Sequence, residues 1–123
     1  MKTSPNHLKR TTDNSEHYLW GNNCQGWHLL KSEDLSVIRE MMPPGTSETP
    51  HFHQRAQQLF YILQGTATFE VNGQQITVNG SESIHIPAGT THCIHNKALT
   101  DLHFLVISQP KSHGDRVVRE GEG

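Results

Sequence analysis

The sequence has few cysteines and no long hydrophobic run. Its two cysteines, Cys24 and Cys93, are too few for a disulfide framework, so a cytoplasmic setting is expected. The longest runs of aliphatic and aromatic residues, LFYIL at 59–63 and FLVI at 104–107, are much shorter than the roughly 20 residues of a transmembrane helix. We therefore expect neither a membrane span nor the apolar core of a secretory signal.

A surplus of charge of one sign is also lacking. Ten Lys and Arg stand against 12 Asp and Glu, which leaves a net charge of -2 and no basic excess of the kind that binds nucleic acid. Leu, Ile, Val and Phe supply only 27 of the 123 residues. This composition predicts one small domain with a thin core, and a second copy of the chain in a homodimer would add burial.

Histidine is the residue type in excess, because its ten copies equal Lys and Arg together. Some of them, such as His7 and His113, lie in polar terminal stretches. Four others fall inside patterned segments: His51, His53, His92 and His95. This distribution favours a functional role for the second group.

Short apolar runs separated by turn residues predict an all-β fold of the sandwich or barrel type. Asn72-Gly73 is a strong hairpin signal, because both residues tolerate the positive φ angles of a type I′ turn. We expect a loose arm over 1–16, a β-barrel over 17–110 and a C-terminal tail over 111–123. The predicted strands are 27–31, 36–42, 59–63, 66–71, 75–78, 83–86, 92–95 and 102–108.

His51 and His53 would share one face of an extended chain, because strand side chains alternate. Gln58 follows five residues after His53, and His92 follows the turn formed by Pro87-Ala88-Gly89. Three imidazoles and one oxygen donor suit Zn, Fe, Ni, Co, Mn or Cu, and they leave a coordination position open. Gln57 competes with Gln58 as the oxygen donor.

Two spaced motifs make the chain resemble the cupins, which are small double-stranded β-helix (jelly-roll) barrels. The first cupin motif, G-x5-H-x-H-x3–4-E-x6-G, is matched in order, with glutamine in place of glutamate, by Gly45, His51, His53, Gln58 and Gly65. The second, G-x5-P-x-G-x2-H-x3-N, is matched by Pro87, Gly89, His92 and Asn96, with Ser81 where its first glycine belongs. The resemblance implies one divalent metal bound by His51, His53, Gln58 and His92.

Gln58 is where the sequence departs from the first motif. A neutral amide leaves the metal more positive than a carboxylate does, which favours Lewis-acid chemistry over oxygen activation. Similar cupins with three histidines and one glutamine include enzymes that ketonise unsaturated uronates and a polyketide cyclase. The expected function is non-redox isomerisation, ring opening or lyase chemistry on a small oxygen-rich metabolite. A metal-dependent dioxygenase and a non-catalytic sugar-binding or sensor protein are the alternatives.

Other residues of the expected pocket are assigned by strand alternation and by chemistry. Phe60 and Ile62 share the face of Gln58, so we expect them to line a substrate pocket. His28, His85 and His103 are candidates for acid–base catalysis, because imidazole titrates near neutral pH. Arg39 and Glu40 point to opposite faces of their strand, so at most one of them faces inward. Cys93 follows His92 and is expected to be a buried thiol that points away from the metal.

Overall fold

The computed structural model describes residues 5–119, which form two facing antiparallel β-sheets. A short 3-10 helix, Pro5–Leu8, precedes eleven strands. They are β1 (Glu16–Trp20), β2 (Cys24–Lys31), β3 (Ser36–Met42), β4 (His51–His53), β5 (Gln57–Gln64), β6 (Thr66–Val71), β7 (Gln74–Asn79), β8 (Ser83–Ile86), β9 (His92–His95), β10 (Leu102–Gln109) and β11 (Arg116–Val118). The all-β prediction is confirmed.

The two sheets are interleaved in sequence, as a jelly roll requires. One sheet has the order β1-β2-β3-β10-β5-β8, and the other has the order β11-β4-β9-β6-β7. Their inner faces enclose an apolar core in which the rings of Phe60 and Phe69 meet edge to face with centroids 5.1 Å apart. Alternating burial along β10, in which every second residue from Leu102 to Ser108 is buried, follows the period of a half-exposed strand.

Four strands begin and end where the sequence predicts: β3, β6, β8 and β9. The predicted hairpin at Asn72-Gly73 joins β6 to β7, with φ angles of 50° and 83°. Ser81, at the glycine position of the second motif, also has a positive φ of 70°, and its amide donates to the carbonyl oxygen of Ile62 at 2.8 Å. The backbone conformation of the motif is therefore kept without its glycine.

Three strands lie outside the predicted set. β1 pairs with β2, although no strand is predicted before Trp27, because cross-strand rings pack there: His17 lies 5.2 Å from Trp27 and Tyr18 lies 5.1 Å from His28. β4 is only three residues long and pairs with β9 and β11.

β11 lies in the segment predicted as a C-terminal tail. This segment is part of the second sheet as far as β11, while the sequence alone marks it only as polar and short. The parts of the predicted arm and tail at 1–4 and 120–123 lie outside the described residues. Within the described part of the chain, no helix is long and apolar enough to cross a membrane.

Candidate metal centre

Three histidines meet on the inner face of the second sheet. His51 on β4 is paired directly with His92 on β9, and His53 lies two residues further along β4. One ring nitrogen from each histidine lies within 4.8 Å of the other two, and all three side chains are buried. The predicted group of His51, His53 and His92 is therefore brought together by the fold.

Backbone carbonyls orient two of these rings. Nδ1 of His51 donates to the carbonyl oxygen of Thr49, and Nδ1 of His92 donates to that of Thr90, each at 2.9 Å. A carbonyl only accepts, so the proton is on Nδ1 and the lone pair is on Nε2. Nε2 of His92 is buried and has no hydrogen-bond partner among residues 5–119.

Burial keeps the three imidazoles neutral, which is the form that binds metals. Desolvation is the largest cause in each case, and it lowers the pKa of His51 to about 3 and that of His53 to about 4. It also lowers the pKa of His92. The guanidinium of Arg116, with Nη2 3.4 Å from Nδ1 of His51, acts in the same direction.

Gln58 lies on β5, in the opposite sheet, and is 5 % exposed. Its Nε2 donates to Oγ of the fully buried Ser108 at 3.0 Å, which fixes the amide plane. Its Oε1 is buried without a partner in the described chain, and Gln58 lines the same cavity as His51 and His53. Gln57, by contrast, is exposed and accepts a hydrogen bond from Nε2 of His85 at 3.0 Å, on the outer face of the sheet.

These donors fit a divalent transition metal. Neutral imidazoles are common ligands of such ions, and an amide oxygen adds a fourth donor without charge. Buried polar atoms normally have partners, so Oε1 of Gln58 and Nε2 of His92, which have none within residues 5–119, are the kind of atoms that a bound ion satisfies.

A cavity of about 930 Å³ opens beside the histidines. Of the two residues expected to line a substrate pocket, Phe60 lines this cavity, whereas Ile62 is fully buried in the core and does not line it. Gln58, Phe60 and Ile62 share one face of β5, but only the first two lie beside the cavity. Ile62 lies further along the strand and packs in the apolar core. Glu40 is the member of the Arg39–Glu40 pair that lines the cavity.

Two carboxyl groups of the cavity are the functional candidates that sequence reasoning did not single out as acids. Oη of Tyr18 donates to Oε2 of Glu40 at 2.8 Å, while Oε1 of Glu48 is buried with no partner among the described residues. Burial is the main cause that raises the pKa of Glu40 to about 7. Burial, followed by the charge of Glu40, raises the pKa of Glu48 to about 8. Arg116 opposes both shifts.

The position of Tyr18 depends on a glycine. Gly26 is its cross-strand partner, and a Cβ at Gly26 would overlap the Tyr18 ring. Only glycine lets the ring lie flat across β2, from where its hydroxyl reaches Glu40. The sequence alone does not show that position 26 must be glycine, because this requirement depends on Tyr18 in the neighbouring strand.

The three histidines proposed for acid–base chemistry are separated by the fold. His28 lines the cavity, where its Nδ1 is buried without a partner in the described part of the molecule. His85 is exposed and bonded to Gln57, and Nδ1 of His103 lies 3.4 Å from the guanidinium of Arg39. Neither His85 nor His103 lines the cavity beside the histidine cluster.

Two facing antiparallel sheets with a histidine cluster between them define a jelly-roll barrel with a candidate metal site. A family model described as "Cupin domain" matches residues 38–108, and the chain belongs to this family. An oxalate-binding protein from Thermotoga maritima is 32% identical over 85 residues, which is 65% of this chain and 70% of that protein.

Solved structures show the same fold. KdgF from Halomonas sp. superposes with a TM-score of 0.75 at 21% identity, covering 82% of this chain and 93% of that chain. The polyketide cyclase RemF from Streptomyces resistomycificus superposes with a TM-score of 0.76 at 19% identity, covering 93% of this chain and 87% of that chain.

Proposed function

We propose that the protein is a metal-dependent enzyme that carries out non-redox isomerisation, ring opening or lyase chemistry on a small oxygen-rich metabolite of the sugar or uronate type. The observation that carries the proposal is Oε1 of Gln58, which is buried without a partner in the described chain and lies in the cavity of His51 and His53, while Nε2 of the same amide donates to Ser108. A neutral amide takes the place where a carboxylate would offset the charge of a metal.

The four proposed ligands are His51, His53, Gln58 and His92. A divalent transition metal bound there (Zn, Ni, Fe, Mn, Co or Cu) supplies a Lewis acid for a substrate oxygen. Because all four donors are uncharged, the site keeps a charge of about +2, where a glutamate would leave about +1. This excess of positive charge favours an anionic substrate oxygen and disfavours the higher oxidation states used in oxygen chemistry.

The cavity supplies groups that move protons and bind anions. We assign Glu48 as the group that exchanges a proton with the substrate, because Oε1 of its carboxyl is buried without a partner among residues 5–119 and burial raises its pKa to about 8. Glu40 accepts a hydrogen bond from the Tyr18 hydroxyl, so it orients the ring rather than reacting. Arg116 lines the same cavity and would bind a carboxylate of the substrate.

The first test follows reactions of metal-loaded protein by proton NMR together with an oxygen electrode. Unsaturated uronates, ketoses, aldoses and small keto acids are the candidate substrates. We expect an isomerised or ring-opened product without oxygen consumption, and we expect Glu48→Gln to lower kcat by at least about a hundredfold. Oxygen consumed in proportion to product would replace the proposal by a dioxygenase.

The second test needs no known substrate. Oxalate binding to metal-loaded protein is measured by calorimetry in Gln58→Glu, with Gln57→Glu as the matched control on the outer face. A charge beside the metal should weaken anion binding by at least about tenfold in Gln58→Glu only. Equal effects of the two substitutions would contradict the role of Gln58 as a metal ligand.

A non-catalytic binding protein is the second candidate, because the 32% identical relative is named an oxalate-binding protein. Tight binding of oxalate to the metal-loaded protein, together with no turnover of any compound above, would favour this function. Turnover of one of them would exclude it.

A further inference from the structure

A second group of ligand-type side chains lies on the outer face of the second sheet. Its members are Glu70 on β6 and Cys93 and His95 on β9. Glu70 is paired directly with Cys93 across the two strands, and His95 lies two residues along β9, on the same face as Cys93. His92 and Ile94 alternate with them and face inward, so this group and the histidine centre lie on opposite faces of one strand.

The three ligand atoms form a nearly equilateral triangle. Sγ of Cys93 lies 3.4 Å from Oε2 of Glu70 and 3.3 Å from Nε2 of His95, and Nε2 of His95 lies 3.4 Å from Oε2 of Glu70. A tetrahedral zinc ion with bonds of about 2.0–2.3 Å to sulfur, nitrogen and oxygen separates its ligand atoms by roughly 3.3–3.6 Å. The edges of the triangle therefore match those of a tetrahedral site.

Burial and access are also those of a metal site with an open position. Cys93 is 1 % exposed, so its thiol is enclosed by protein, while the side chains of Glu70 and His95 are 39% and 22% exposed. A hollow of about 150 Å³ lined by Glu70 and Cys93 adjoins the triangle. It leaves room for a water molecule as the fourth ligand.

We propose that Glu70, Cys93 and His95 form a second, thiolate-containing binding site for Zn²⁺. On binding, the Cys93 thiol loses its proton to solvent, the sulfur, His95 nitrogen and Glu70 oxygen bind the ion, and no oxidation occurs. One thiolate and one carboxylate neutralise the charge of Zn²⁺, in contrast to the uncharged donors of the histidine centre. The soft sulfur donor selects Zn²⁺ over Mg²⁺, Ca²⁺ or Mn²⁺.

The test titrates metal-stripped protein with Zn²⁺ and, separately, with Co²⁺, whose bond to a thiolate gives a charge-transfer absorption in the near ultraviolet. Wild-type protein should bind one equivalent more than Cys93→Ser. The absorption should appear in wild type, in His51→Ala, which lacks a ligand of the histidine centre, and in Cys24→Ser, which lacks the other thiol. It should be absent from Cys93→Ser.

Glu70→Gln is the second variant, because a partly exposed surface side chain can change without loss of the fold. We expect it to weaken Zn²⁺ binding at the thiolate site by about a hundredfold, with unchanged binding at the histidine centre. An absence of thiolate absorption in the wild type, or its persistence in Cys93→Ser, would show that the three side chains form only a hydrogen-bonded group. The result does not depend on any enzyme activity.

Discussion

At the scale of single residues, Glu48 shows how a buried carboxyl group opposes stability. Its carboxyl is buried beside that of Glu40, and its pKa in the folded protein is raised from 4.5 to about 8. The unfolded chain therefore loses this proton at a lower pH than the folded protein does. As pH rises from about 4.5 to 8, ionisation increasingly favours the unfolded state, so Glu48 lowers the free energy of unfolding above that range.

Glu48→Gln should therefore make the metal-free protein more stable at alkaline pH. We expect a gain of about 5 kcal/mol at pH 9 that shrinks as pH falls and disappears near pH 4.5, because both side chains are then neutral. Urea unfolding at several pH values measures it. Glu33→Gln, at an exposed carboxylate paired with Lys111, is the control. A gain that is independent of pH would contradict a raised pKa at Glu48.

Gly65, which ends the first motif, is fixed by both conformation and space. Its φ is 97°, and a Cβ there would lie 2.8 Å from the carbonyl oxygen of Asp101. Gly73 has a similar φ of 83°, but a Cβ there would meet nothing within 4 Å. A comparison of alanine substitutions at Gly65 and Gly73 therefore distinguishes the cost of backbone strain from the cost of steric contact.

We expect Gly73→Ala to cost about 1 kcal/mol of unfolding free energy and Gly65→Ala about 3 kcal/mol, since the second adds a backbone contact to the strain. Thermal and urea unfolding of both variants give the comparison. Equal losses of unfolding free energy in the two variants would mean that the backbone near Asp101 moves away from the new Cβ at no cost.

At the scale of elements, β11 and the residue before it support β4, the strand that carries the proposed ligands His51 and His53. β11 pairs with all three residues of β4, so it covers the edge that holds His51 and His53. Oδ2 of the buried Asp115 accepts hydrogen bonds from the amides of Arg55 and Ala56, both at 2.9 Å. These contacts tie the turn after β4 to the C-terminal segment.

Asp115→Ala should therefore destabilise the protein by about 2–3 kcal/mol, because it leaves two amides without their acceptor. We also expect it to weaken metal binding, since β4 loses its support, by about tenfold. Urea unfolding and metal titration measure the two effects. Asp34→Ala, at an exposed aspartate, should change neither. Loss of stability with unchanged metal affinity would show that β11 stabilises the fold but does not support metal binding by β4.

Most of the central strands were predictable, because their residues alternate and Asn72-Gly73 and Pro87-Ala88-Gly89 mark the turns between them. β1, β4 and β11 were not, since short edge strands are defined by their partners rather than by their own pattern. The same limit applies to the cavity. His51, His53 and His92 follow from motif spacing, whereas the burial of Glu48 and the approach of Arg116 depend on strands far apart in the sequence.

At the scale of the whole molecule, a bound metal would link the two sheets. His51, His53 and His92 belong to the second sheet, and Gln58 belongs to the first. A ligand that binds only the folded state stabilises it by about 2.7 kcal/mol when its free concentration is a hundred times Kd. The homodimer and the cytoplasmic location that the sequence suggests stay predictions.

Removal of metal should therefore lower the melting temperature by several degrees. A chelator added to metal-loaded protein, followed by calorimetry, tests this, and excess Zn²⁺ should restore the original value. In His92→Ala, which lacks one of the proposed ligands, the part of the shift that comes from the histidine centre should vanish. The same shift in His92→Ala and in the wild type would place the stabilising metal elsewhere.

The pairing of β4 with β9 and β11 also has a consequence for the order of folding. His51 faces His92, about forty residues later, and Val118, later still, so the site consists of contacts between distant parts of the chain. Such contacts close slowly, because the loop entropy is lost before they form. Metal would then bind after the rate-limiting step, and it would slow unfolding of the barrel without hastening its formation.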